Sequence, residues 1–192
     1  YYIDRENGML YIYMPEGSDA DSEITVSAAK KDLISITNAK NIRIDGIEIN
    51  SGRAGGITVS GASSQIVIDG CKIHSFGANG VTLGKSTFST VKNCEIYDIG
   101  KNAVSVSGGN YSKLISSGNR IVNNDIYRFS QLEKSYTSGV YIGYQSVGTQ
   151  LLNNHIHDAP HAGIIFYGVN NRIAYNEIDN VVKEFHDMDA IY

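Results

Sequence analysis

NIRIDGIEIN at residues 41–50 and QIVIDGCKIH at residues 65–74 are two copies of one short pattern. Four further copies follow, namely STVKNCEIYD (89–98), RIVNNDIYRF (120–129), QLLNNHIHDA (150–159) and RIAYNEIDNV (172–181). Each copy has an isoleucine in its second half, and these anchor residues are Ile49, Ile73, Ile96, Ile126, Ile156 and Ile178. Successive anchors lie 24, 23, 30, 30 and 22 residues apart. Such a repeat is typical of a solenoid in which each turn packs on the next.

A second apolar ladder runs in the same register. It consists of Leu33, Ile57, Val81, Val104, Val140, Ile164 and Ile191, in segments such as GGITVSG (55–61) and NGVTLGK (79–85). Apolar residues two positions apart predict short strands with one buried face. We therefore predict an all-β fold, a right-handed single-stranded parallel β-helix of about six to seven turns.

The domain organisation is predicted to be simple. We expect one β-helix domain over residues 1–192, belonging to a longer chain. Residues 1–32 form an N-terminal flanking segment, in which the run from Tyr2 to Tyr13 predicts a hairpin closed by Asn7 and Gly8. Residues 33–192 form the solenoid turns.

The amino-acid composition gives no sign of a nucleic acid or a membrane as a partner. Hydrophobic residues make up 42% of the 192 residues and charged residues 19%, which indicates a buried core. A net charge of -4 gives no reason to expect a nucleic acid. No apolar run approaches the roughly 18–20 residues that a membrane-spanning helix needs, so we expect no membrane insertion.

The position two residues before each anchor predicts what lies inside the solenoid. In the last three copies it holds Asn124, Asn154 and Asn176, which we expect to form a buried ladder of amides that bond one another and the turn backbone. Cys71 and Cys94 occupy this position in two earlier copies. We expect both to be small buried hydrophobes, because directly stacked strands offer poor geometry for a disulfide.

Two expanded loops predict where a site lies. The interval from the first ladder to the second is 8 residues in four turns, but 14 from Ile126 to Val140 and 13 from Ile178 to Ile191. Stacked turns are about 4.8 Å apart, so these loops and the short segment His157–His161 between them must be neighbours. We expect a cleft at this edge.

The polar residues of the cleft suggest carbohydrate chemistry. Glycoside hydrolysis needs one carboxylic acid and one carboxylate, and the catalytic candidates are Asp187, Asp158 and Glu184. The candidates for substrate binding are His157, His161, His186, Tyr136, Tyr141, Tyr192, Lys134 and Arg128. A metal on His157, His161 and Asp187 is disfavoured because the histidines lie in a turn, and we predict neither a metal nor a cofactor.

Two other functions remain open at this point. A polysaccharide lyase of the same pectate-lyase-like architecture would use Arg128, Lys134 and Lys183 against a uronate carboxylate, with calcium held by the acidic loop. A glycan-binding surface protein or adhesin would use the same face without catalysis. In each case the partner is a polysaccharide or oligosaccharide.

The second half of the chain resembles secreted bacterial β-helix proteins of glycoside hydrolase family 141, which include α-L-fucosidases and xylanases. The family pattern N-x-I-H-D-x-P-H matches residues 154–161, I-x-F-x-G matches 164–168, N-E-I matches 176–178, and E-x-x-D-x-G-A-I-Y matches 184–192. Residues 108–136 and the opening YYIDRENGMLYIYMP are similar to further family segments.

The resemblance implies a secreted bacterial glycoside hydrolase, extracellular, periplasmic or on the cell surface. The family uses paired aspartates, and the match assigns the acid to Asp187. Asp189 departs from the pattern, because the family has glycine there. The second aspartate of the family is expected beyond Tyr192, which would leave half of an active site in this chain.

Overall fold

The structure, a computed structural model, describes residues 1–14, 16–19, 21–22, 24–185 and 187–192. Within these residues the chain winds through three six-stranded parallel sheets in repeating order, one strand of each sheet per turn. Six successive turns stack in this way, which makes a parallel β-helix as the repeat predicts. The described residues contain no helix that is long and apolar enough to cross a membrane.

Each sheet takes every third strand of the solenoid. Sheet 1 contains β3 (Ile34–Thr37), β6 (Ile57–Ser60), β9 (Val81–Leu83), β12 (Val104–Val106), β15 (Val140–Ile142) and β18 (Ile164–Phe166). Sheet 2 contains β4 (Lys40–Asp45), β7 (Ser64–Asp69), β10 (Thr90–Lys92), β13 (Arg120–Val122), β16 (Gln150–Leu152) and β19 (Arg172–Ala174). Sheet 3 contains β5 (Glu48–Gly52), β8 (Lys72–Phe76), β11 (Glu95–Ile99), β14 (Asp125–Tyr127), β17 (His155–His157) and β20 (Glu177–Asp179).

Left-handed residues turn the corners between the sheets. Between sheets 2 and 3 every turn has one residue with φ from 54° to 62°: Gly46, Gly70, Asn93, Asn123, Asn153 and Tyr175. Glycine and asparagine adopt this conformation at little cost, which explains why five of the six corners hold them. A second left-handed residue comes at the end of sheet 3 in every turn. It lies inside the strand at Ser51, Ser75 and Asp98, and directly after the strand at Arg128, Asp158 and Asn180.

The two apolar ladders line the interior. The anchor isoleucines pair in register along sheet 3, and those from Ile73 to Ile156 are fully buried. The second ladder runs along sheet 1 as predicted, with one correction: Ile34, not Leu33, pairs with Ile57. Leu33 is 41% exposed because it precedes the strand, and the alternation places Ile34 on the inner face.

The asparagine ladder is present inside the corner between sheets 2 and 3. The Asn124 side chain donates from Nδ2 to Asn154 Oδ1 over 2.8 Å, and Asn154 donates in the same way to Asn176 Oδ1 over 2.9 Å. Each amide oxygen also accepts the backbone N–H of the asparagine one turn below, over 3.0 Å. All these buried amides therefore have partners.

The cysteines continue this column toward the N-terminus. Cys71 and Cys94 are both 2% exposed and neither forms a disulfide, in agreement with their predicted role as small buried hydrophobes. Burial raises the pKa of the Cys94 thiol to about 12. A thiol that stays protonated is a poor nucleophile and metal ligand, so this column is structural.

Two features lie outside the regular turns. The hairpin pairs β1 (Tyr2–Asp4) with β2 (Met9–Tyr11) in antiparallel register. Residues 107–119 form a second insertion, between sheets 1 and 2, closed by a bridge from Asn110 to Ile115. This insertion produces the 30-residue spacing from Ile96 to Ile126, and it lies on a different corner from the predicted cleft.

Candidate functional site

The long loop at residues 128–139 is packed onto the solenoid rather than free of it. The backbone N–H of Ser130 donates to Lys101 O over 2.9 Å, and that of Gln131 donates to Ile99 O over 3.0 Å. Phe129 is fully buried within the core. The loop therefore offers a fixed wall for a site and not a mobile lid.

A depression of about 370 Å³ lies where this loop meets the two segments above it. Its walls are Arg128, Gln131, Asp158, Ala159, Pro160, Lys183 and Glu184. The corner after sheet 3 aligns Arg128 and Asp158 in successive turns, since Arg128 N donates to Asp158 O over 3.2 Å. The upper segment is joined to the same place because Glu184 N donates to Pro160 O over 3.2 Å. We call this depression the edge cavity.

Asp158 is the most strongly held carboxylate of the edge cavity. Its Oδ2 is 2.8 Å from His157 Nδ1, its Oδ1 is 3.1 Å from Lys183 Nζ, and Oδ1 also accepts a bond from Asn180. The hydrogen bonds from His157, Lys183 and Asn180 lower the pKa of Asp158 to about 2. At neutral pH this side chain can accept a proton or attack as a nucleophile, but it cannot act as a general acid.

Glu184 and Lys134 form a bridge across the cleft. The Lys134 ammonium is 2.8 Å and 2.6 Å from the two oxygens of Glu184. The pair joins the lower expanded loop to the upper one, as the stacking of the turns predicted. Because both carboxylate oxygens face Lys134, this ion pair occupies Glu184, which suits a positioning role better than a catalytic one.

Arg128 is bound by side chains of its own turn and of the preceding turn. Its guanidinium binds Asp98 Oδ1 at 2.6 Å and Oδ2 at 3.0 Å, and it lies 4.7 Å from the ring centre of Tyr127. The same group lies 5.1 Å from the Tyr97 ring. These contacts fix the orientation of Arg128, which also lines the cavity.

His157 lies beside the cavity, on the outer face of sheet 3. Its ring stacks on Tyr127 with 5.0 Å between ring centres, and its Nε2 is 3.0 Å from Asp125 Oδ1. Partial burial lowers the pKa of His157, but hydrogen bonds to Asp158 and Asp125 outweigh this, so the net shift is upward. The ring thus orients Asp158 from behind.

His161 is buried beneath the upper loop, not exposed in the cleft. It is 1% exposed, and its Nε2 accepts a hydrogen bond from Tyr136 N over 3.3 Å. The ring packs edge-on against Phe185, 4.9 Å away, and 6.0 Å from the ring of Tyr136. Burial lowers the pKa of His161, which favours a neutral imidazole. Asp187 is exposed and close enough to act on this pKa electrostatically.

The remaining candidates lie apart from the edge cavity. Tyr141 belongs to an aromatic group on the outer face of sheet 1, in which Tyr144 and Tyr167 stack with 3.9 Å between ring centres. Tyr192 is 48% exposed and bonds β18 through its backbone. His186, the other candidate for substrate binding, lies outside the described residues.

The structure thus brings some of the predicted site residues together and leaves others apart. Arg128, Asp158, Glu184 and Lys134 meet at or beside the edge cavity, whereas His161 is buried between Tyr136 and Phe185. The sequence did not point to Gln131, Tyr144 or Tyr167. It placed Asp125 in one outward column with His155, which is confirmed by their pairing in register, but that column was interpreted as an ordinary solvated face.

A larger cavity of about 570 Å³ lies between the hairpin and the solenoid. Apolar side chains make up much of its lining, including Ile3, Leu10, Ile12 and Leu132. Among the described residues that line it, the ionisable side chains are Tyr1, Arg5 and Arg53, and none is a carboxylate. These residues offer no acid–base pair of carboxyl groups, so the edge cavity is the better candidate for chemistry.

Comparison with known proteins places the chain among β-helix proteins. The family described as "Right handed beta helix region" matches residues 11–137. A pre-neck appendage protein of Bacillus phage B103 is 30% identical over 88 residues, which cover 43% of this chain and 10% of that protein. The crystal structure of pectate lyase Pel9A is similar at 16% identity and a TM-score of 0.47, over 66% of this chain and 30% of the other.

These matches bear on the family but not on a particular enzyme. The chain spans only a tenth of the phage protein and less than a third of the pectate lyase chain. The narrower resemblance to glycoside hydrolase family 141 is not supported by them and stays a prediction. The matched family region covers more than half of the residues, and the three parallel sheets have the architecture that its description states. The chain therefore belongs to the right-handed β-helix family.

Proposed function

We propose that this chain binds a polysaccharide or oligosaccharide at the edge cavity and acts on it as a carbohydrate-active enzyme outside the cell. The observation that carries the proposal is the convergence of Asp158, Glu184, Arg128 and Lys183 around one depression of about 370 Å³. Fixed, charge-paired side chains of this kind suit the hydroxyl groups of a sugar, which can donate to carboxylates and accept from cations.

The hydrolytic form of the proposal gives each carboxylate a separate role. Asp158 serves as the base or nucleophile, since His157 and Lys183 hold it ionised and oriented. The resemblance to glycoside hydrolase family 141 assigns the general acid to Asp187, which is close enough to the buried His161 to act on its pKa. Glu184 positions the substrate through its pair with Lys134. The two roles require two carboxyl groups in different environments.

The test is a glycan-cleavage screen on the wild-type protein, Asp158→Asn and Asp187→Asn. We expect reducing sugar to be released by the wild type and lost in both variants. Asp189→Asn is the matched control, because it changes an exposed carboxyl of the same loop that has no assigned role. Hydrolysis that survives in both Asp158→Asn and Asp187→Asn would contradict the assignment.

The same screen distinguishes a polysaccharide lyase from a hydrolase. β-Elimination gives an unsaturated uronate with ultraviolet absorbance, whereas hydrolysis does not. Arg128 and Lys183 line the cavity and could neutralise a uronate carboxylate. An ultraviolet signal that depends on Lys183 would therefore replace the hydrolase by a lyase.

A second candidate function is glycan binding without cleavage. The similarity to a phage protein favours it, since that relative is named as an appendage protein and not as an enzyme. Retention of unaltered glycan by the wild type, measured on a glycan array and weakened in Asp158→Asn, would support this candidate over either enzyme.

A further inference from the structure

The outer face of sheet 3 brings two imidazoles and a carboxylate together beside the edge cavity. His155 and His157 are two residues apart in β17, so their side chains leave the same face of the strand. Asp125, on the strand below, lies in register with His155. Two histidines at this spacing and a carboxylate on the neighbouring strand therefore offer three side-chain ligand atoms, and the paired strands hold their backbone in place.

The distances between these atoms suit a metal ion. Asp125 Oδ1 is 3.0 Å from His157 Nε2 and 3.4 Å from His155 Nδ1. All three ligand atoms lie within 4.8 Å of one another. A metal with bonds of about 2.0–2.2 Å needs tetrahedral ligand atoms roughly 3.3–3.6 Å apart. The separation of Asp125 from His155 already meets this value, and that of Asp125 from His157 is a few tenths of an ångström shorter.

In each ring one nitrogen, here called inner, faces Asp125, and the other, here called outer, contacts a different carboxylate. His157 Nδ1 is 2.8 Å from Asp158 Oδ2, and His155 Nε2 is 3.2 Å from Asp179 Oδ2. A neutral imidazole has one N–H. When that hydrogen is donated outward to Asp158 or Asp179, both inner nitrogens turn their lone pairs toward Asp125. Carboxylates bonded to the outer N–H in this manner orient metal-binding histidines.

Charge favours a cation at the same point. The cluster contains Asp125, Asp158, Glu177 and Asp179, and Lys183 at Asp158 is the one lysine or arginine that bonds them among the described residues. One divalent ion between Asp125 and the two rings places positive charge within a few ångströms of these carboxylates.

We propose that Asp125, His155 and His157 bind a divalent transition metal of the zinc class. Imidazole ligands select such an ion over calcium or magnesium, which prefer oxygen ligands. Three protein ligands leave a fourth position to water. The rings of His155 and His157 are stacked, so metal binding requires one of them to rotate. His155, whose side chain is 40% exposed, has room to rotate and direct Nδ1 at the ion, whereas His157 is only 17% exposed. The neighbouring set His155, Glu177 and Asp179 has one imidazole only and is the weaker choice.

The test is zinc titration by calorimetry on chelator-treated protein, with cobalt absorption as a spectroscopic measure of imidazole ligation. We expect one ion per chain, and a loss of affinity of about tenfold or more in His155→Ala and in His157→Ala. Asp158→Asn should weaken binding by about 10- to 100-fold without removing a ligand. No glycan is used, so failure here leaves the proposed carbohydrate function untouched.

His74→Ala provides the matched control. His74 lies on the same outer face of sheet 3 and contacts Glu48 at 3.0 Å, but it has no second histidine beside it. Zinc affinity should not change in this variant, and circular dichroism should be the same for all variants because none of the changed side chains belongs to the buried core. Absence of stoichiometric binding to the wild type, or equal affinity in His155→Ala, His157→Ala and His74→Ala, would overturn the proposal.

Discussion

A single asparagine carries several buried hydrogen bonds at the corner between sheets 2 and 3. The Asn154 side chain donates to Ile121 O and Leu152 O, each over 3.0 Å, and to Asn176, and it accepts from Asn124. Asn154→Ala leaves these buried groups without partners, so we expect the free energy of unfolding in urea to fall by about 3 kcal/mol or more. Asn50→Ala, on the exposed face, should change it by less than about 0.5 kcal/mol. Equal losses would mean that the ladder does not stabilise the solenoid.

Prediction from sequence at the residue scale worked where a position recurs in every turn. Asn124, Asn154 and Asn176 share one column, and periodicity alone identified them. The partners of Arg128 were not predictable, because its choice of Asp98 over the cavity depends on rotamers and on the stacked rings below it. His161 was expected in the cleft, but the backbone after Pro160 turns its ring inward, where Phe185 and Tyr136 cover it.

At the scale of elements, Phe129 fixes the expanded loop at residues 128–139. Its side chain is fully buried, whereas Leu132 in the same loop is 69% exposed. We expect Phe129→Ala to lower the free energy of unfolding by about 3–5 kcal/mol through the cavity that it creates. Leu132→Ala should cost little, because that side chain is mostly in water already. A small loss in Phe129→Ala would mean that the loop is not anchored as described.

The outer face of sheet 2 contains a carboxylate that makes stability depend on pH. The Asp69 side chain is 10% exposed, and hydrogen bonds from Asn93, Lys92 and Arg43 lower its pKa. A lowered pKa stabilises the folded state above the unfolded value of about 3.9, and the contribution is lost as pH falls through the folded pKa. Asp69→Asn should therefore lower the melting temperature at pH 7, and the difference from wild type should vanish well below pH 3.9.

Asp45→Asn is the control for this pH dependence. Asp45 also pairs with Arg43, at 2.9 Å, but its side chain is 56% exposed. Exposed pairs contribute little to stability, so its melting curves should follow those of the wild type at each pH. A difference between Asp69→Asn and wild type that persists unchanged in acid would show that lost packing, and not charge, is responsible.

Elements were predictable to the extent that their pattern was regular. The ladders of Ile49 and Ile57 predicted sheets 3 and 1. The strands of sheet 2 lie in the first half of each quoted repeat, but the sequence pattern did not distinguish them from those of sheet 3, because a corner of only two residues joins, for example, β4 to β5. The insertion at residues 107–119 was missed, since the anchor spacing alone does not say on which corner the extra residues lie. The edge cavity was predictable because its two expanded loops were measured from one ladder to the other.

For the whole molecule, stability depends on a constant distance between turns. Gly100 lies directly above Gly77, and a Cβ at Gly100 would overlap the Gly77 carbonyl, with its carbon 2.8 Å away. The Gly100 carbonyl also accepts the N–H groups of Leu132 and Glu133, so the same residue joins the expanded loop to the solenoid. Because backbone atoms cannot move aside, we expect Gly100→Ala to lower the free energy of unfolding by about 2–3 kcal/mol.

Gly143→Ala separates this steric effect from the general cost of replacing a glycine. The nearest atom to a Cβ at Gly143 is Ser107 Cβ at 3.5 Å, an ordinary contact, and its φ is not in the left-handed region. We expect a change of less than about 1 kcal/mol there, with both variants measured by urea unfolding. Each turn contacts only its neighbours, so a forced separation at Gly100 weakens two turns and the loop above them together. If the two variants lose similar free energies of unfolding, the loss comes from replacing a glycine in general and not from the spacing of the turns.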